Sequence, residues 1–359
     1  MEKKQKKEYA KIIILSILIL LFGISITFSS QISSVIKKVL YKTDIKASAD
    51  DLVVHFISVG QGDAIALRFP NEKVMLIDSG PKVSQNMLVE YVKDNVLKSN
   101  NKLVIDYLLL THSDIDHSGG VCAIFAEFEV ENFYRPNIAS KSEKAGDFAM
   151  QSTLDEYDEV IKSANKEKDL QINVINQQLE FYIGDVYVQV FPPVKVYSST
   201  NEMSPIIKVS YLDKSFLFTG DIQGDSESDM IEQYGEELNA DVLKVAHHGS
   251  SSSTSDEFVS KVTPRYAVIC VGENTYGHPH LTTITTLESF DAEILTTKEN
   301  DVVFVCGKEV FGILDTYKTH SHEFVDWWVI VLIVEILLAF NLTKSIVLVI
   351  KINKEDYTI

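Results

Sequence analysis

LTHSDIDHSGG, residues 110–120, brings His112, Asp114, Asp116 and His117 together within six residues. It follows the largely apolar run 103–110, which reads as a buried strand. The motif therefore hangs from the C-terminal end of a strand, where sheet enzymes hold their chemistry on loops. At alternate loop positions His112, Asp114 and Asp116 converge on one side, while His117 turns toward a second ion. Hydrolytic metal sites need several carboxylate or imidazole ligands and must keep a position open for water. Four such groups seed two adjacent sites without completing them. The best candidates for the missing ligands sit at later strand ends: Asp221 in FTGD (218–221) and His247 in LKVAHHGS (243–250).

Around this centre the chain alternates strands with helices. LVVHFISV, AIALRF and VMLIDSG read as three strands joined by the turns GQGD and PNEK, and residues 84–98 have helical spacing. Residues 140–170 are rich in Lys, Glu and Asp and read as a solvated surface helix, with a lid as the functional reading. Strands at 179–191 and 205–219 precede a helix near 225–235, the strand DVLKVA, the strand RYAVICV and the loop GENTYGHPH. A helix near 281–289 and short strands near 292–297, 301–306 and 309–314 complete a layered α/β sandwich. His55 reads as a packed or hydrogen-bonded strand residue. Cys122, Cys270 and Cys306 lack any CxxC spacing, so they read as buried thiols and not as a zinc-thiolate site.

Taken in order, VGQGDA (59–64), LIDSG (76–80), LTHSDIDHSGG, FTGD, LKVAHHGS and YGHPH (276–280) resemble the metallo-β-lactamase superfamily. Within it they are most similar to the hydrolase domain of ComEC-type DNA-uptake proteins and related phosphodiesterases. The resemblance implies an αββα sandwich holding two divalent metal ions. It places His112, Asp114, Asp116 and His117 on the family's first ligand motif, with Asp114 where a histidine is usual. Asp221 matches the metal-bridging aspartate and His247 the last histidine ligand, with His248 as the alternative. Residues 118–246 contain no histidine, so the family's middle histidine is missing, and Asn201 falls where the ComEC-like branch carries asparagine. One site is then oxygen-rich, which favours manganese over zinc. The implied chemistry is hydrolysis of a phosphodiester by two ions ~3.5–4 Å apart. Asp116 takes part in it, and His278 or His248 protonates the leaving oxygen or clamps the phosphate. Asp63 and Asp78 are expected to orient ligands, and Ser250 and His280 to lie near substrate.

The 359 residues carry 33 Lys and Arg against 51 Asp and Glu, a net charge of −18. Five lysines and two glutamates in the first eleven residues make a local +3, which leaves −21 on the rest. That disfavours a broad electrostatic footprint for duplex DNA, for which only scattered residues such as Lys244, Lys261 and Arg265 are at hand. The basic tail and uncharged run within residues 1–34 read as a cytoplasmic tail and signal anchor. A second apolar stretch, 325–350, opens with Trp327 and Trp328, and residues 351–359 form a tail with lysine near the membrane end. Glu335 in this stretch suits a partner helix in the membrane. Lysines at both outer ends place both termini in the cytoplasm and the hydrolase domain, 50–322, outside. The expected substrate is an envelope polymer, a small phosphoester or DNA. A nuclease is the alternative reading, and a metal-binding sensor without turnover is a second.

Overall fold

The computed structural model describes residues 13–16, 47–97, 103–314 and 344. The first part of the chain supplies the strands Leu52–Phe56 (β1), Ile65–Arg68 (β2), Val74–Ile77 (β3), Val104–Leu109 (β4) and Glu129–Pro136 (β5). The short pair Ile138–Ala139 (β6) and Met150–Gln151 (β7) follows, then Gln171–Ile175 (β8). The second part supplies Leu179–Ile183 (β9), Val186–Phe191 (β10), Ile206–Tyr211 (β11), Lys214–Phe218 (β12) and Val242–Lys244 (β13). Tyr266–Ile269 (β14), Glu293–Thr296 (β15), Val302–Cys306 (β16) and Phe311–Ile313 (β17) complete the set. One sheet runs β17-β16-β1-β2-β3-β4-β5-β8 and the other β15-β14-β13-β12-β11-β10-β9.

The helices are Gln85–Tyr91 (α1), Ile115–Ser118 (α2), Val121–Glu127 (α3), Asp155–Ala164 (α4), Gly224–Tyr234 (α5), Asp256–Val262 (α6) and Leu281–Ser289 (α7). A π-helical turn, Val92–Val96, prolongs α1. Alternating side chains of the strands divide the apolar residues into three layers. Between the sheets, Phe56 of β1 meets Phe218 of β12 at 5.9 Å and Phe216 meets Phe304 of β16 at 5.9 Å. Outside the first sheet, Leu88, Ile124, Tyr157 and Ile161 of α1, α3 and α4 cover Leu76 and Leu108. Outside the second, Met230, Phe258 and Leu287 of α5, α6 and α7 cover Leu217 and Leu243. The result is the expected αββα sandwich. Phe216 and Phe304 are fully buried, and truncating either to alanine would cost about 3–5 kcal/mol through lost burial and the cavity left behind.

Parallel pairing decides where the chemistry lies. β3 pairs in parallel with β4, and β12, β13 and β14 pair in parallel with one another. The loops leaving the C-terminal ends of each set therefore emerge along one edge of their sheet, as in other α/β enzymes. Asp78, the 111–117 motif, Asp221 and His247–His248 all lie on such loops. The Gly119–Gly120 pair permits the tight packing of the first loop. A Cβ on Gly119 would collide with the backbone of Lys82, and one on Gly120 with the Ser79 carbonyl.

Apart from residues 13–16 and 344, the expected membrane segments, Glu335 among them, lie outside the described residues. Among the described residues no helix is long and apolar enough to cross a membrane. Of the charged stretch 140–170, only α4 is a helix of any length. It buries Tyr157, Asp158, Val160, Ile161 and Ala164 and leaves Asp155 and Glu159 exposed.

Candidate metal centre

Each histidine of the centre has one ring nitrogen committed outward. His117 Nδ1 donates to Asp78 Oδ2 (2.7 Å), and His248 Nδ1 donates to the Cys270 carbonyl (2.8 Å). His112 Nδ1 lies 3.0 Å from Thr111 Oγ1, whose own proton goes to Asp78 Oδ2 (2.7 Å), so the imidazole is the donor. The three Nε2 atoms are therefore the ones left to face inward, where a cation would replace any proton they carry. His117 Nε2 lies 3.3 Å from His248 Nε2 and 3.3 Å from Asp221 Oδ2. His248 Nε2 lies 3.4 Å from Asp221 Oδ2 and 3.3 Å from Asp116 Oδ2. His112 Nε2 is buried with no hydrogen-bond partner. Ring nitrogens and carboxylate oxygens so close need positive charge among them, from protons on the rings or from cations that replace those protons.

The residues meet that need with an excess of negative charge. With the histidines neutral, Asp63, Asp78, Asp114, Asp116 and Asp221 against the ammonium of Lys244 leave −4, which two divalent cations would offset. Burial alone would lower the His117 pKa, but the carboxylates of Asp221, Asp63 and Asp78 outweigh it and hold it well above the usual imidazole range. The same contest raises His248 to about 9, with Asp221 and Asp116 overcoming burial. Burial pushes Asp221 up, yet His117, His248 and Lys244 bring it well below the usual carboxylate range, and Asp116 is likewise held low. Metal ions displace such protons when they bind. His112, His117 and Asp221 bring ligand atoms within 4.8 Å of one another, as do Asp63, His117 and His248. This donor set, imidazole and carboxylate with orienting hydrogen bonds behind each ring, fits divalent ions.

Two residues sit elsewhere than the sequence suggested. His248, not His247, presents its Nε2 to Asp116, His117 and Asp221. Both residues have left-handed backbone (φ 49° and 53°), so the turn throws consecutive rings to different sides. His247 Nε2 is 3.9 Å from Asp221 Oδ2 and accepts from Asn201 Nδ2 (3.2 Å), while its Nδ1 donates to Gln223 Oε1 (2.7 Å). Lys244 is not a surface charge available to nucleic acid. It is fully buried at the end of β13, ion-paired with Asp63, 3.4 Å from Asp221 Oδ1 and donating to the Gly220 carbonyl at 2.8 Å. Lys261 is paired with Glu236 at 2.8 Å, and Arg265 is exposed.

The other expected residues are arranged around this core. Asp78, itself left-handed at φ 58°, accepts from the Thr111 amide (2.8 Å) as well as holding His117. Asp63 gives Oδ2 to Lys244 and keeps Oδ1 3.4 Å from the back of His248. Asp114 accepts from Thr200 Oγ1 (2.7 Å). Ser250 Oγ pairs with Ser252 Oγ at 2.9 Å. His280 Nδ1 accepts from the Ser251 amide (3.1 Å). The His278 ring lies 5.5 Å from His247 and 6.4 Å from His248. Burial and the neighbouring imidazoles bring its pKa down to about 4, so it is neutral at pH 7 and not an imidazolium able to protonate a leaving group. Ser204 went unnoticed in the sequence. Its Oγ accepts from the Asp221 amide (3.2 Å) and lies 3.3 Å from His112 Nδ1. His55 Nδ1 meets Tyr91 Oη at 3.0 Å, and the three cysteines are free thiols, two of them buried.

The centre opens into a cleft of about 1070 Å³ bordered by Asp114, Asp116, Asp221, His247, His248 and His278. Its outer wall includes Met150–Leu154, so the charged stretch 140–170 contributes to the site through its loop and not through a helix.

The sandwich and this centre define a metal-dependent hydrolase. The profile of the metallo-beta-lactamase superfamily matches residues 57–273, and the chain belongs to that superfamily. Among curated relatives it is similar to ComE operon protein 3 of Bacillus subtilis, 27% identical over 75% of this chain and 34% of the relative. It is also similar to Competence protein ComA of Neisseria gonorrhoeae, 27% identical over 61% of this chain and 27% of the relative. The chain thus spans about a third of the length of these relatives. Among solved structures it is similar to the metallo-beta-lactamase fold protein YhfI from Bacillus subtilis, at 11% identity and TM-score 0.46, covering 71% of this chain and 100% of that one.

Proposed function

We propose that this chain is a membrane-anchored, extracytoplasmic phosphodiesterase that acts on envelope or small phosphoesters through two divalent ions, manganese favoured over zinc. The observation that carries the reading is the convergence of His117 and His248 Nε2 on Asp221 Oδ2, with a ligand atom of His112 within 4.8 Å of those of His117 and Asp221. On this reading Asp116, His117 and His248 would hold one ion and His112 and Asp114 the other, with Asp221 within reach of both sets. The second set is oxygen-rich, which supports manganese. Bound ions would supply Lewis acidity and charge neutralisation at a phosphoryl group. The protein's own groups fix the geometry. Asp78 and the Cys270 carbonyl set the tautomers of His117 and His248, and Ser204 anchors the Asp221 backbone. Asn201 and Gln223 take up both ring nitrogens of His247 and hold the ring at the cleft wall, beside His278, which is placed to donate to a phosphate oxygen.

Anchoring and orientation rest on the apolar segments and lysine bias of the sequence. The preference for small or envelope phosphoesters over duplex DNA rests on charge: among the residues bordering the cleft there is no Lys or Arg. Duplex binding normally neutralises several phosphates with cationic side chains. The competence-protein relatives support the second reading, a nuclease. The test is turnover by the full-length chain with Mn²⁺ on a model phosphodiester, duplex DNA and a polyol-phosphate polymer. Turnover of the first and third with little of the second is expected. Efficient duplex degradation at physiological salt would favour the nuclease.

A further inference from the structure

The cleft wall beyond the metal centre has its own chemistry. Thr153, Ser198, Ser199 and Thr275 border it, and their hydroxyls have no hydrogen-bond partner among the described residues. They come from three separate segments, so no single loop's composition accounts for the cluster. Tyr276 stands at the rim with 70% of its surface exposed, although an aromatic ring is costly to leave in water. Its ring leans on His278 at 5.7 Å between centroids and 31° between planes. The loop beneath is pinned by Asn274, whose Oδ1 accepts from the amides of Tyr276 and His278 (both 3.1 Å) and whose Nδ2 donates to the carbonyls of Gly272 (3.0 Å) and His278 (2.9 Å). The exposed ring is thus held on a braced loop.

A fixed aromatic face beside uncommitted hydroxyls, with no cationic side chain, suits a flat-faced neutral group with hydroxyls on its edge. A polyanion would meet Glu273, Asp114 and Asp116 there and no lysine or arginine. We propose that this wall is a sugar subsite: it receives an uncharged, hydroxyl-bearing ring joined to the scissile phosphate, with Tyr276 against the ring face and the four hydroxyls at its edge. The inference rests on the phosphodiesterase reading above and names the group flanking its phosphate.

The test uses the full-length chain with Mn²⁺ and three p-nitrophenyl phosphodiesters whose second ester group is methyl, the 6-position of glucose or the 5′-position of thymidine. In each, water's oxygen bonds to phosphorus, the bond to p-nitrophenolate breaks and the remaining proton goes to solvent, so the leaving group is constant. The glucose ester should show kcat/KM about tenfold or more above the methyl ester, the scale expected for covering the C–H face of one sugar ring with an aromatic side chain. Tyr276→Ala should collapse that ratio mainly through KM, Tyr276→Phe should keep most of it, and Ser198→Ala should lower it in part. Equal kcat/KM for the glucose and methyl esters, or a ratio unmoved by Tyr276→Ala, would overturn the subsite while leaving the phosphodiesterase intact. A thymidine ester preferred over the glucose ester by more than tenfold would overturn it in favour of a nucleoside. No turnover of any ester would remove both readings together.

Discussion

Replacing Lys244 with methionine keeps most of the side chain's length and removes one buried positive charge. In the wild type that ammonium pairs with Asp63, faces Asp221 Oδ1 at 3.4 Å and is fully buried. Breaking a buried ion pair by deleting one partner costs about 3–5 kcal/mol, because the other charge is left uncompensated in a medium that solvates it poorly. For a domain of this size each kcal/mol moves Tm by about 2–4 °C, so the metal-free variant should melt on the order of 10 °C below the wild type. Metal ions change the comparison. Loss of Lys244 takes the centre from −4 to −5, and two divalent ions then supply most of the missing charge. The stabilisation gained on adding Mn²⁺ should therefore be larger in Lys244→Met than in the wild type, by roughly the deficit seen in chelator. Thermal melts in chelator and in saturating Mn²⁺ measure both quantities. Equal melting temperatures in chelator would refute the argument, since they would mean that Lys244 carries no buried charge of consequence.

Asp78→Asn should leave the fold intact and weaken metal binding about 10–100-fold, because the His117 tautomer is no longer enforced; calorimetric titration with Mn²⁺ measures it. His248→Ala should abolish high-affinity binding at one site, whereas His247→Ala should retain both ions and chiefly raise KM; comparable loss of metal in His247→Ala would reverse the assignment. In the metal-free protein His248, raised to about 9 by Asp221 and Asp116 against burial, contributes stability that is complete below its ordinary 6.5 and lost as pH rises through about 9. Asp116 and Asp221, held low, contribute stability present above the ordinary 3.8 and lost as pH falls below it. The metal-free Tm should thus fall from pH 6.5 to pH 9.5, while Mn²⁺ affinity rises over the same range as those protons leave.

The sandwich and the place of the 111–117 motif were legible because both rest on local pattern. Short apolar runs ending in THSDIDH, TGD and HHG announce strand ends, and the structure places Asp78, His117 and Asp221 on the loops that leave such ends. What could not be read depends on contacts distant in sequence or on backbone sign. A lysine in VLK looks like a surface residue until Asp63 and Asp221, from elsewhere in the chain, close over it. Two adjacent histidines cannot be ranked without knowing that both are left-handed and that the Cys270 carbonyl receives one of them. Ser204 and Gln223 carry no signal, being ordinary polar residues whose partners are fixed only by the fold. The 140–170 stretch misled because its charges mark the outer face of α4, while the loop before it, Met150–Leu154, turns to the cleft.

The central claim, that this centre holds two divalent ions, is tested most directly by metal stoichiometry after equilibrium dialysis against Mn²⁺. The wild-type chain should retain two ions, and Asp221→Ala, which removes the carboxylate facing His117 and His248, should retain at most one, bound more weakly. A wild-type chain that holds less than one ion at saturation, or an Asp221→Ala chain that still holds two, would contradict it.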